Sequence, residues 1–589
     1  MSASSSSRRP TSRLNLPYAE AGLSSYEAAA FLLDRFGYGP RPGEVERLVD
    51  TGLDRWIEDQ LTDPGSDPEL EARLAELDGH GRSFEDLSQH YINNRGIRDL
   101  AQGAGILPQN TPIANTPETR EVLRPWMEAN GYHFIGALRP QLIERKVFRA
   151  VYGRHQLREV LSDFWFNHFN VDARGNNALY VFDYEETAIR PHALGHFGDL
   201  LHATARHPAM LAYLDNARSR VEPGVRTASG SIARRGGLNE NYARELMELH
   251  TLGVDGGYTQ QDVEEVARAF TGWSFEPFSP RRARQRARMV GRMARRGQST
   301  PLIDGAFVFR PDWHDAAPKT VLGQALPGGR GVEDGQDVLA ILLAHPSTAR
   351  FIATKLAIRF VQDDPDSRLI NRLAAEFAAT NGDLAAVLRV LVQTRDFWDA
   401  AAGPSKVKTP FEYIASALRV TDARVNRART LAPRLAEMGE PIYHCEPPTG
   451  FPDHAAAWVN AGALLSRMSF SLHLALNQVP GIRVDLRRLN QNREPESAED
   501  ALHTYAALLL PGRDLGPTLD QLTPLVRDPD FATRVDSAAR QAGRPAAGRM
   551  RRDDDDGVFT DDERPELDPD DMLAQVVGTI LGSPQFHRQ

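Results

Sequence analysis

The chain has 589 residues, of which 41% are hydrophobic and 25% charged, and 79 acidic against 69 basic residues give a formal net charge of −10. These proportions are typical of a globular protein and exclude a wholly disordered or fibrous chain. The negative balance gives no overall support for nucleic-acid binding, and the single cysteine, Cys445, excludes an intramolecular disulfide and a cysteine-based zinc site.

The N-terminal sequence contains the arginine pair Arg8 and Arg9, but no apolar stretch follows it, as a secretory signal would require. The chain also lacks an apolar run long enough for a transmembrane helix. We therefore expect a cytoplasmic protein without a membrane span, and the alternative is export together with a partner protein. Residues 1–16, rich in serine and arginine, are expected to form a disordered tail.

Strong helix formers dominate the sequence, and apolar residues recur at three- and four-residue spacing in segments such as 25–36, 43–61 and 383–398. Alternating β-branched patterns are scarce, and short strands are expected only near 306–309 and 319–322. The sequence therefore predicts a mainly α protein, with one large multi-helix domain, few short strands and charged surface insertions.

The main helical domain is expected to span residues 17–480, followed by a C-terminal helical segment at 481–589. Residues 281–297 hold eight arginines and no acid, and residues 544–571 form an acidic linker. Blocks of like charge usually stay solvated, and the basic block lacks the aromatic residues on which nucleic-acid bases stack. We interpret it as a surface insertion, so nucleic acid is not expected as a partner.

Residues 163–170 read Asp-Phe-Trp-Phe-Asn-His-Phe-Asn and form the first candidate site segment. In a helix, Asp163 and Asn167 share a face because they are four residues apart. His168, beside Trp165, could act as a general base, a metal ligand or a buried hydrogen-bonding group.

The second candidate segment is a predicted helix that Asn239 can cap and Gly253 can end. Asn241, Glu245 and Glu248 follow helical spacing along one face. If this stripe faces inward, the poorly hydrated carboxylates would have raised pKa values suited to acid–base catalysis. If it faces outward, it is a surface ladder of ion pairs with little energetic weight.

Three further segments carry candidate side chains. Trp273 follows Gly272 at a predicted helix end, and the core is the expected position for its ring. His314 and Asp315 precede Lys319 in a predicted loop, where they could orient an imidazole, hold a metal ion or close a turn. The prolines and the glycine of residues 443–453 predict a rigid turn rich in polar groups.

Taken in order, these motifs resemble the large bacterial family of domains of unknown function numbered eighteen-hundred. The resemblance runs from about Ala28 to Gln478. It rests on residues 164–169, 239–253, 257–259, 271–273, 314–315, 319–323, 447–452 and 458–460. It implies a mainly helical fold and supplies no activity. It also implies a partner, because members of the family are often encoded beside a family that resembles sulfatases. This chain departs from the many exported members in lacking a signal stretch.

The residues themselves support two hypotheses about function. The first is a hydrolase-type enzyme acting on a polar polymer such as a carbohydrate, with or without a divalent metal ion as cofactor. Its catalytic candidates are Glu245, Glu248, His168 and His314. Its substrate-binding candidates are Arg244, Asn241, Trp165, Trp273, Asn167 and Lys319, and its metal-ligand candidates are His168, His314 and Asp315.

The second hypothesis is a helical scaffold or binding protein without catalytic activity, acting with the sulfatase-like partner. Geometry separates the two hypotheses. Catalysis requires His168, His314 and the Glu245/Glu248 stripe to face one cleft, whereas a scaffold leaves them apart or fully paired.

Overall fold

The structure is a computed structural model that describes residues 14–62, 65–109, 117–234, 236–276, 300–402, 406–528, 530–542 and 572–589, with Arg288, 290–292 and Arg295. Most of the expected N-terminal tail, most of the basic insertion and the whole acidic linker lie outside the described residues.

The described chain is mainly α-helical, as predicted. Its first fourteen α-helices are α1 (Ser25–Arg35), α2 (Glu44–Thr51), α3 (Leu53–Leu61), α4 (Pro68–Leu74), α5 (Phe84–His90), α6 (Asn94–Gly103), α7 (Pro117–Asn130), α8 (Leu138–Tyr152), α9 (Gln156–His168), α10 (Asn177–Tyr184), α11 (Phe197–Arg206), α12 (Pro208–Tyr213), α13 (Asn241–Glu245) and α14 (Gln260–Ala269). The helices that follow are α15 (Val332–Ala344), α16 (Pro346–Phe360), α17 (Ser367–Ala379), α18 (Leu384–Val392), α19 (Arg395–Asp399), α20 (Pro410–Val420), α21 (Ala432–Glu437), α22 (Ala461–Ala475), α23 (Leu486–Leu489), α24 (Ala498–Leu509), α25 (Gly516–Val526), α26 (Phe531–Ala542) and α27 (Met572–Leu581).

Short helical turns of other types connect some of these helices. Two are π-helical, Glu185–Ile189 and Leu246–Thr251. Five are 3₁₀ turns, namely Ile135–Ala137, Arg190–His192, Asn216–Arg218, Ala428–Leu431 and Ala455–Ala457.

The strands are short and form four small sheets. They are β1 (Tyr91–Ile92), β2 (His133–Phe134), β3 (Trp273–Phe275), β4 (Leu302–Asp304), β5 (Phe307–Phe309), β6 (Lys319–Val321), β7 (Gln324–Leu326), β8 (Arg424–Val425) and β9 (Ile482–Arg483). The β1–β2 pair is parallel, whereas β3–β5–β4, β6–β7 and β8–β9 are antiparallel. Strands β5 and β6 confirm the two that the sequence predicts.

Local capping sequences set where several helices begin. A reciprocal capping box, in which the N-cap hydroxyl and a carboxylate three residues later satisfy free backbone N–H groups, begins α1, α14 and α20. The box of α14 uses Thr259 and Asp262, which have the three-residue spacing of this motif.

Most of the described helices share one hydrophobic core, whose residues run from Ala28 to Phe586. Helices α6 and α7 pack in a separate small cluster, and α26 packs in another with Leu472. Trp273 is fully buried in the large core, as predicted, between the rings of Phe270 and Phe307. None of the described helices combines the length and the apolar character needed to cross a bilayer.

The last residues of the chain pair with a segment far from them in sequence. The backbone N–H of Lys408 donates to the carbonyl of His587, and that of Gln589 donates to the carbonyl of Lys406, both at 2.8 Å. Helix α27 also packs on α22, which lies before the expected boundary at residue 480. The division at 480 stays a prediction.

Gly335 on α15 provides a test of how closely the core is packed around Trp273. A Cβ atom at this position would lie 2.5 Å from the indole ring of Trp273. We expect Gly335→Ala to lower the free energy of unfolding by about 1–3 kcal/mol, because overfilling a close-packed core forces side chains from their rotamers. Gly103→Ala is the matched control, because its Cβ would meet nothing within 4 Å. Equal urea-unfolding curves for the two variants would contradict the predicted close packing.

Candidate functional site

The helix that carries the predicted polar stripe differs from the uninterrupted α-helix that its spacing predicts. Helix α13 ends at Glu245 and continues as the π-helical turn Leu246–Thr251, in which the Thr251 hydroxyl donates to the carbonyl of Leu246 at 2.7 Å. A π-helical turn has a wider hydrogen-bond spacing, so Glu248 is not placed as α-helical spacing predicts. Gly253 ends the turn with a φ of 84°, the left-handed conformation that the sequence predicts there.

The stripe itself is partly exposed. Asn241 is exposed, and Arg244 forms an ion pair with Glu240 at 3.3 Å on the surface. Glu245 is half-buried, and burial followed by the charge of Glu248 raises its pKa, while Arg244 opposes this shift. The pKa of Glu245 thus shifts in the direction expected for a stripe that faces inward, although its neighbours reach solvent.

His168 and Trp165 lie inside the core, packed edge to face. The indole N–H of Trp165 donates to the carbonyl of Ala193 at 3.0 Å. The Nε2 atom of His168 lies 3.1 Å from the carbonyl oxygen of His250, so this nitrogen carries the proton and donates. Burial, followed by the nearby charge of Lys355, lowers the pKa of His168 well below its usual value, which keeps the ring neutral.

His314 belongs to a different buried cluster, on the loop between β5 and β6. Its Nδ1 atom lies 2.7 Å from the carbonyl oxygen of Thr271, and its Nε2 atom lies 3.3 Å from the carboxylate of Asp334. The same carboxylate binds the ammonium of Lys319 at 2.7 Å, and Lys319 also donates to the carbonyl of Asp315 at 2.6 Å. His314, Asp315 and Lys319 therefore come together, as their spacing suggests, in a network that satisfies their polar groups.

The structure places two of the predicted catalytic residues, His168 and His314, in separate buried clusters. Among the described residues, the hydrogen-bonding and ring partners of His168 share no member with those of His314. No group of three or more His, Cys, Asp or Glu side chains in this part of the chain is arranged to hold a metal ion.

A partly enclosed cleft lies where two of the segments singled out in the sequence meet, the end of α9 and the turn at 443–453. The side-chain amide of Asn167 forms two hydrogen bonds with the backbone of Phe451, as a neighbouring β-strand residue would. Its Nδ2 donates to the carbonyl of Phe451 at 2.9 Å, and the N–H of Phe451 donates to its Oδ1 at 2.7 Å. Asn167 thus fixes the turn over the cleft.

Gly450 allows this pairing. Its φ is 71°, and a Cβ atom here would lie 2.6 Å from Oδ1 of Asn167. Any other residue would be strained in this left-handed conformation and would also collide with Asn167. Gly450, which the sequence places in a rigid turn, is therefore required both for its backbone conformation and for the space it leaves to Asn167.

Lys146 from α8 and Asp163 from α9 form an ion pair at the inner wall of the cleft. The side chain of Lys146 is 8% exposed, and its ammonium lies 5.1–5.7 Å from the ring centres of Phe166, Phe411 and Tyr443. Burial by itself would lower the pKa of Lys146, but the ion pair with Asp163 and the nearby carboxyl groups of Glu185 and Glu440 together hold this pKa above its usual value. Asp163 keeps 30% of its side chain exposed towards the cleft.

Glu440 is the second carboxylate of the cleft, and its surroundings differ from those of Asp163. It is 6% exposed, and its Oε2 accepts the backbone N–H of Phe411 at 2.8 Å. Burial, followed by the charge of Asp163, raises the pKa of Glu440 to about 8. No lysine, arginine or histidine that the structure describes forms an ion pair with Glu440. Its carboxyl group is therefore protonated at neutral pH and can donate a proton.

Three cations at the cleft and its rim are each held by an acid. Arg359 pairs with Glu412 at 2.5 Å, and Lys355 on α16 pairs with Asp453 at 2.7 Å. Lys406 binds Asp363 and also donates to the carbonyl of Asp453 at 2.8 Å. These pairs connect α16 and α20 to the turn that covers the cleft.

A buried network of charges supports the wall behind Lys146. Arg145 pairs with Glu185 at 3.1 Å, and both side chains are almost completely buried. The hydroxyl of Tyr443 donates to the same carboxylate at 2.7 Å, and Glu185 begins a π-helical turn. Such turns are frequent at functional sites. The network holds α8 and the Tyr443 ring in fixed positions beside the cleft.

The cleft has a solvent-accessible volume of about 80 Å³. A single water molecule needs about 10–15 Å³ of solvent-accessible volume. The cleft therefore has room for several waters or for one polar group of a larger ligand. The indole of Trp458 closes one side, and its N–H donates to the carbonyl of Pro452 at 3.1 Å.

Sequence reasoning found Asn167 and the turn that contains Phe451, but it missed Lys146, Glu185 and Glu440. The sequence held one indication of Lys146, because residues 144–146 read Glu-Arg-Lys inside a helix that is otherwise apolar on most sides. Glu440 belongs to no motif, and only the packing around it reveals its unusual environment.

Comparison with known proteins adds a family and no activity. A family model described as "Protein of unknown function (DUF1800)" matches residues 31–588. The match confirms the resemblance seen in the sequence and extends it beyond Gln478 through the C-terminal segment. No curated protein and no solved structure matches the chain.

The role of Gly450 is testable by substitution. We expect Gly450→Ala to lower the free energy of unfolding by about 1–3 kcal/mol more than Gly439→Ala, because only the first adds a steric clash to backbone strain. Gly439 has a φ of 99°, but a Cβ there would meet nothing within 4 Å. Hydrogen exchange should also become faster over residues 446–458 in the Gly450 variant alone. Equal loss in both variants would show that Asn167 does not fix the turn.

The environment of Glu440 predicts a pH dependence of stability. Its folded-state pKa of about 8 lies above the usual 4.5, so the bound proton stabilises the folded protein fully below pH 4.5, and this contribution is lost as the pH rises through 8. Relative to Glu440→Gln, the wild type should lose up to about 5 kcal/mol of unfolding free energy between pH 4.5 and 9, at about 1.4 kcal/mol per pKa unit.

Urea unfolding at pH 5, 7 and 9 measures this difference. Glu446→Gln is the control, because it removes a carboxylate from the same turn at a side chain that is 79% exposed. A difference between the wild type and Glu440→Gln that does not change with pH would refute the raised pKa.

Proposed function

The chain belongs to the DUF1800 family of proteins of unknown function, and we propose that it is a hydrolase-type enzyme acting on a polar polymer such as a carbohydrate, with its active site at the Glu440/Asp163 cleft. The observation that carries the proposal is the pair of carboxylates in opposite environments that line this cleft. Two titratable groups kept in different protonation states by their surroundings are typical of acid–base catalysis.

In this proposal Glu440 is the general acid. A carboxyl group with a pKa of about 8 is protonated at neutral pH and can give its proton to a leaving-group oxygen. The hydrogen bond from the N–H of Phe411 to Oε2 fixes one oxygen of the carboxyl group. The side chain of Thr409 also hydrogen-bonds to this carboxyl group, so its orientation at the cleft is set before substrate binds.

Asp163 is the negatively charged partner. Its ion pair with Lys146 and its exposure to the cleft keep it available to stabilise positive charge that develops on a sugar ring or to orient a water molecule. Lys146 positions Asp163 and lies behind it, away from solvent.

The covering turn offers the surface on which a polymer could lie. Pro452 is exposed, and the rings of Phe451 and Trp458 lie 6.2 Å apart beside it. The cleft has room for one polar group, so the rest of a chain would run over this turn. The ring of Phe451 is partly exposed, whereas that of Trp458 is buried. An aromatic face next to carboxylates suits a carbohydrate, because sugar rings present apolar C–H faces as well as hydroxyl groups.

The scaffold hypothesis remains the second candidate, and a specific observation favours it. His314 and Lys319 are both bound by the buried carboxylate of Asp334, which also pairs with Arg330 at 3.2 Å, as a structural role requires. In this version the protein binds the sulfatase-like partner and does not turn over a substrate. The metal-assisted version of the enzyme hypothesis depends on His168, His314 and Asp315, and elemental analysis of the purified protein tests it.

An activity screen distinguishes the enzyme from the scaffold. The purified chain should release reducing ends from at least one member of a panel of neutral and acidic polysaccharides. Glu440→Gln and Asp163→Asn should each lower kcat by about 10²–10⁴-fold, the usual loss when a general acid or its partner is removed. The wild-type kcat/KM should fall as the pH rises through about 8, because the acid form of Glu440 is then lost.

Glu245→Gln is the matched control, because it neutralises a half-buried carboxylate with a raised pKa outside the cleft. A loss of activity in this variant, with full activity in the two cleft variants, would move the active site back to the stripe on α13. An inactive wild type across the panel, with binding of a polymer retained, would favour the scaffold.

A further inference from the structure

The β8–β9 sheet joins two arginine-rich segments that are distant in the sequence. Residues 424–434 contain four arginines and no acid, and residues 483–493 contain four arginines and one acid. Strand β8 begins the first segment and β9 overlaps the start of the second. Arg429, Arg434 and Arg487 form ion pairs with acids outside the two segments. The other five arginines give a local excess of positive charge in a chain with a net charge of −10.

Within the sheet, Arg424 is paired directly with Arg483. Side chains directly opposite each other on antiparallel strands lie on the same face and close together, and like charges in this position are destabilising. An anion between the two guanidinium groups removes the repulsion. The arrangement is therefore more favourable with an anionic ligand than without one.

The neighbouring side chains leave these cations available. Arg424 and Arg488 are exposed, and neither side chain forms an ion pair or hydrogen bond with any residue that the structure describes. Arg483 donates from Nη1 to the carbonyl of Asn477 at 2.7 Å, which anchors its guanidinium at the sheet edge. The three arginines line one groove, which has a solvent-accessible volume of about 250 Å³.

Two acids also line the groove, and each has another role. Asp422 pairs with Arg41 at 2.8 Å. Asp485 caps α23 by accepting the backbone N–H of Arg488 at 3.1 Å. Neither is in an ion pair with the three arginines of the groove.

We propose that this groove binds a sulfate or phosphate ester group of an anionic polymer through Arg424, Arg483 and Arg488. Planar guanidinium groups bind tetrahedral oxyanions with paired hydrogen bonds. A single groove binds one such group, and the exposed Arg427 and Arg493 on the same two segments extend the charge for a polymer. The residues that line the groove carry no aromatic ring on which a nucleic-acid base could stack, which favours a sulfated or phosphorylated polysaccharide. The inference does not depend on the proposed hydrolase activity.

The test is direct binding of labelled probes to the full-length protein. Fluorescence anisotropy compares three fluorescein-labelled probes of equal charge: a sulfated hexasaccharide, a phosphorylated oligosaccharide and a single-stranded RNA. Binding is measured between about 50 and 300 mM salt, because phosphate and sulfate contacts are salt-dependent. We expect at least one of the two oligosaccharides to bind. The double variant Arg424→Gln/Arg488→Gln should weaken its binding by about tenfold or more.

The matched control is Arg288→Gln/Arg292→Gln, which removes the same charge from two exposed arginines of the basic insertion. Full binding by this control, with loss in the groove variant at an unchanged melting temperature, supports the proposal. The ranking of the sulfated and phosphorylated probes then identifies the ester. Loss of binding only in the control, or equal loss in both variants, overturns the proposal. Tighter binding of the RNA than of either oligosaccharide also overturns it.

Discussion

Lys146 and Asp163 form the ion pair on which the chemistry of the cleft depends. The ammonium is nearly buried among three aromatic rings, so removing Asp163 would leave an uncompensated charge there, which costs several kcal/mol. The same carboxylate acts on Glu440, whose pKa is raised by burial and by this neighbouring charge. The carboxylate of Asp163 therefore balances the ammonium of Lys146 and also helps raise the pKa of Glu440.

The buried charges behind this pair are better explained by positioning than by stability. Replacing a buried ion pair by apolar residues is often neutral or stabilising, because desolvation of the two charges is so unfavourable. Arg145, Glu185 and Tyr443 nevertheless form such a network beside the cleft. Its directional hydrogen bonds fix the orientation of α8 and of the Tyr443 ring, which apolar packing alone would do less precisely.

The cleft and the arginine groove differ in how their charges are balanced. At the cleft, Arg359, Lys355 and Lys406 are each held by an acid, so an entering group meets hydrogen-bonding groups and aromatic rings with little free positive charge. At the groove, Arg424 and Arg488 face solvent without an acid partner among the described residues. The first environment suits proton transfer to a polar group, and the second suits attraction of an anion.

The sequence by itself determined the features that depend on neighbours along the chain. Helical periodicity, the capping box at Thr259, the strands near 307 and 319, the burial of Trp273 and the family were all predictable, because spacing, capping and turn residues act within a few positions. It also predicted that Glu245 would have a raised pKa if its stripe faced inward. Only the tertiary structure decided which polar groups share a site. Asn167 meets Phe451 across 284 residues of sequence, and burial sets the protonation of Glu440, since desolvation depends on every element packed around a group and not on its neighbours in the chain.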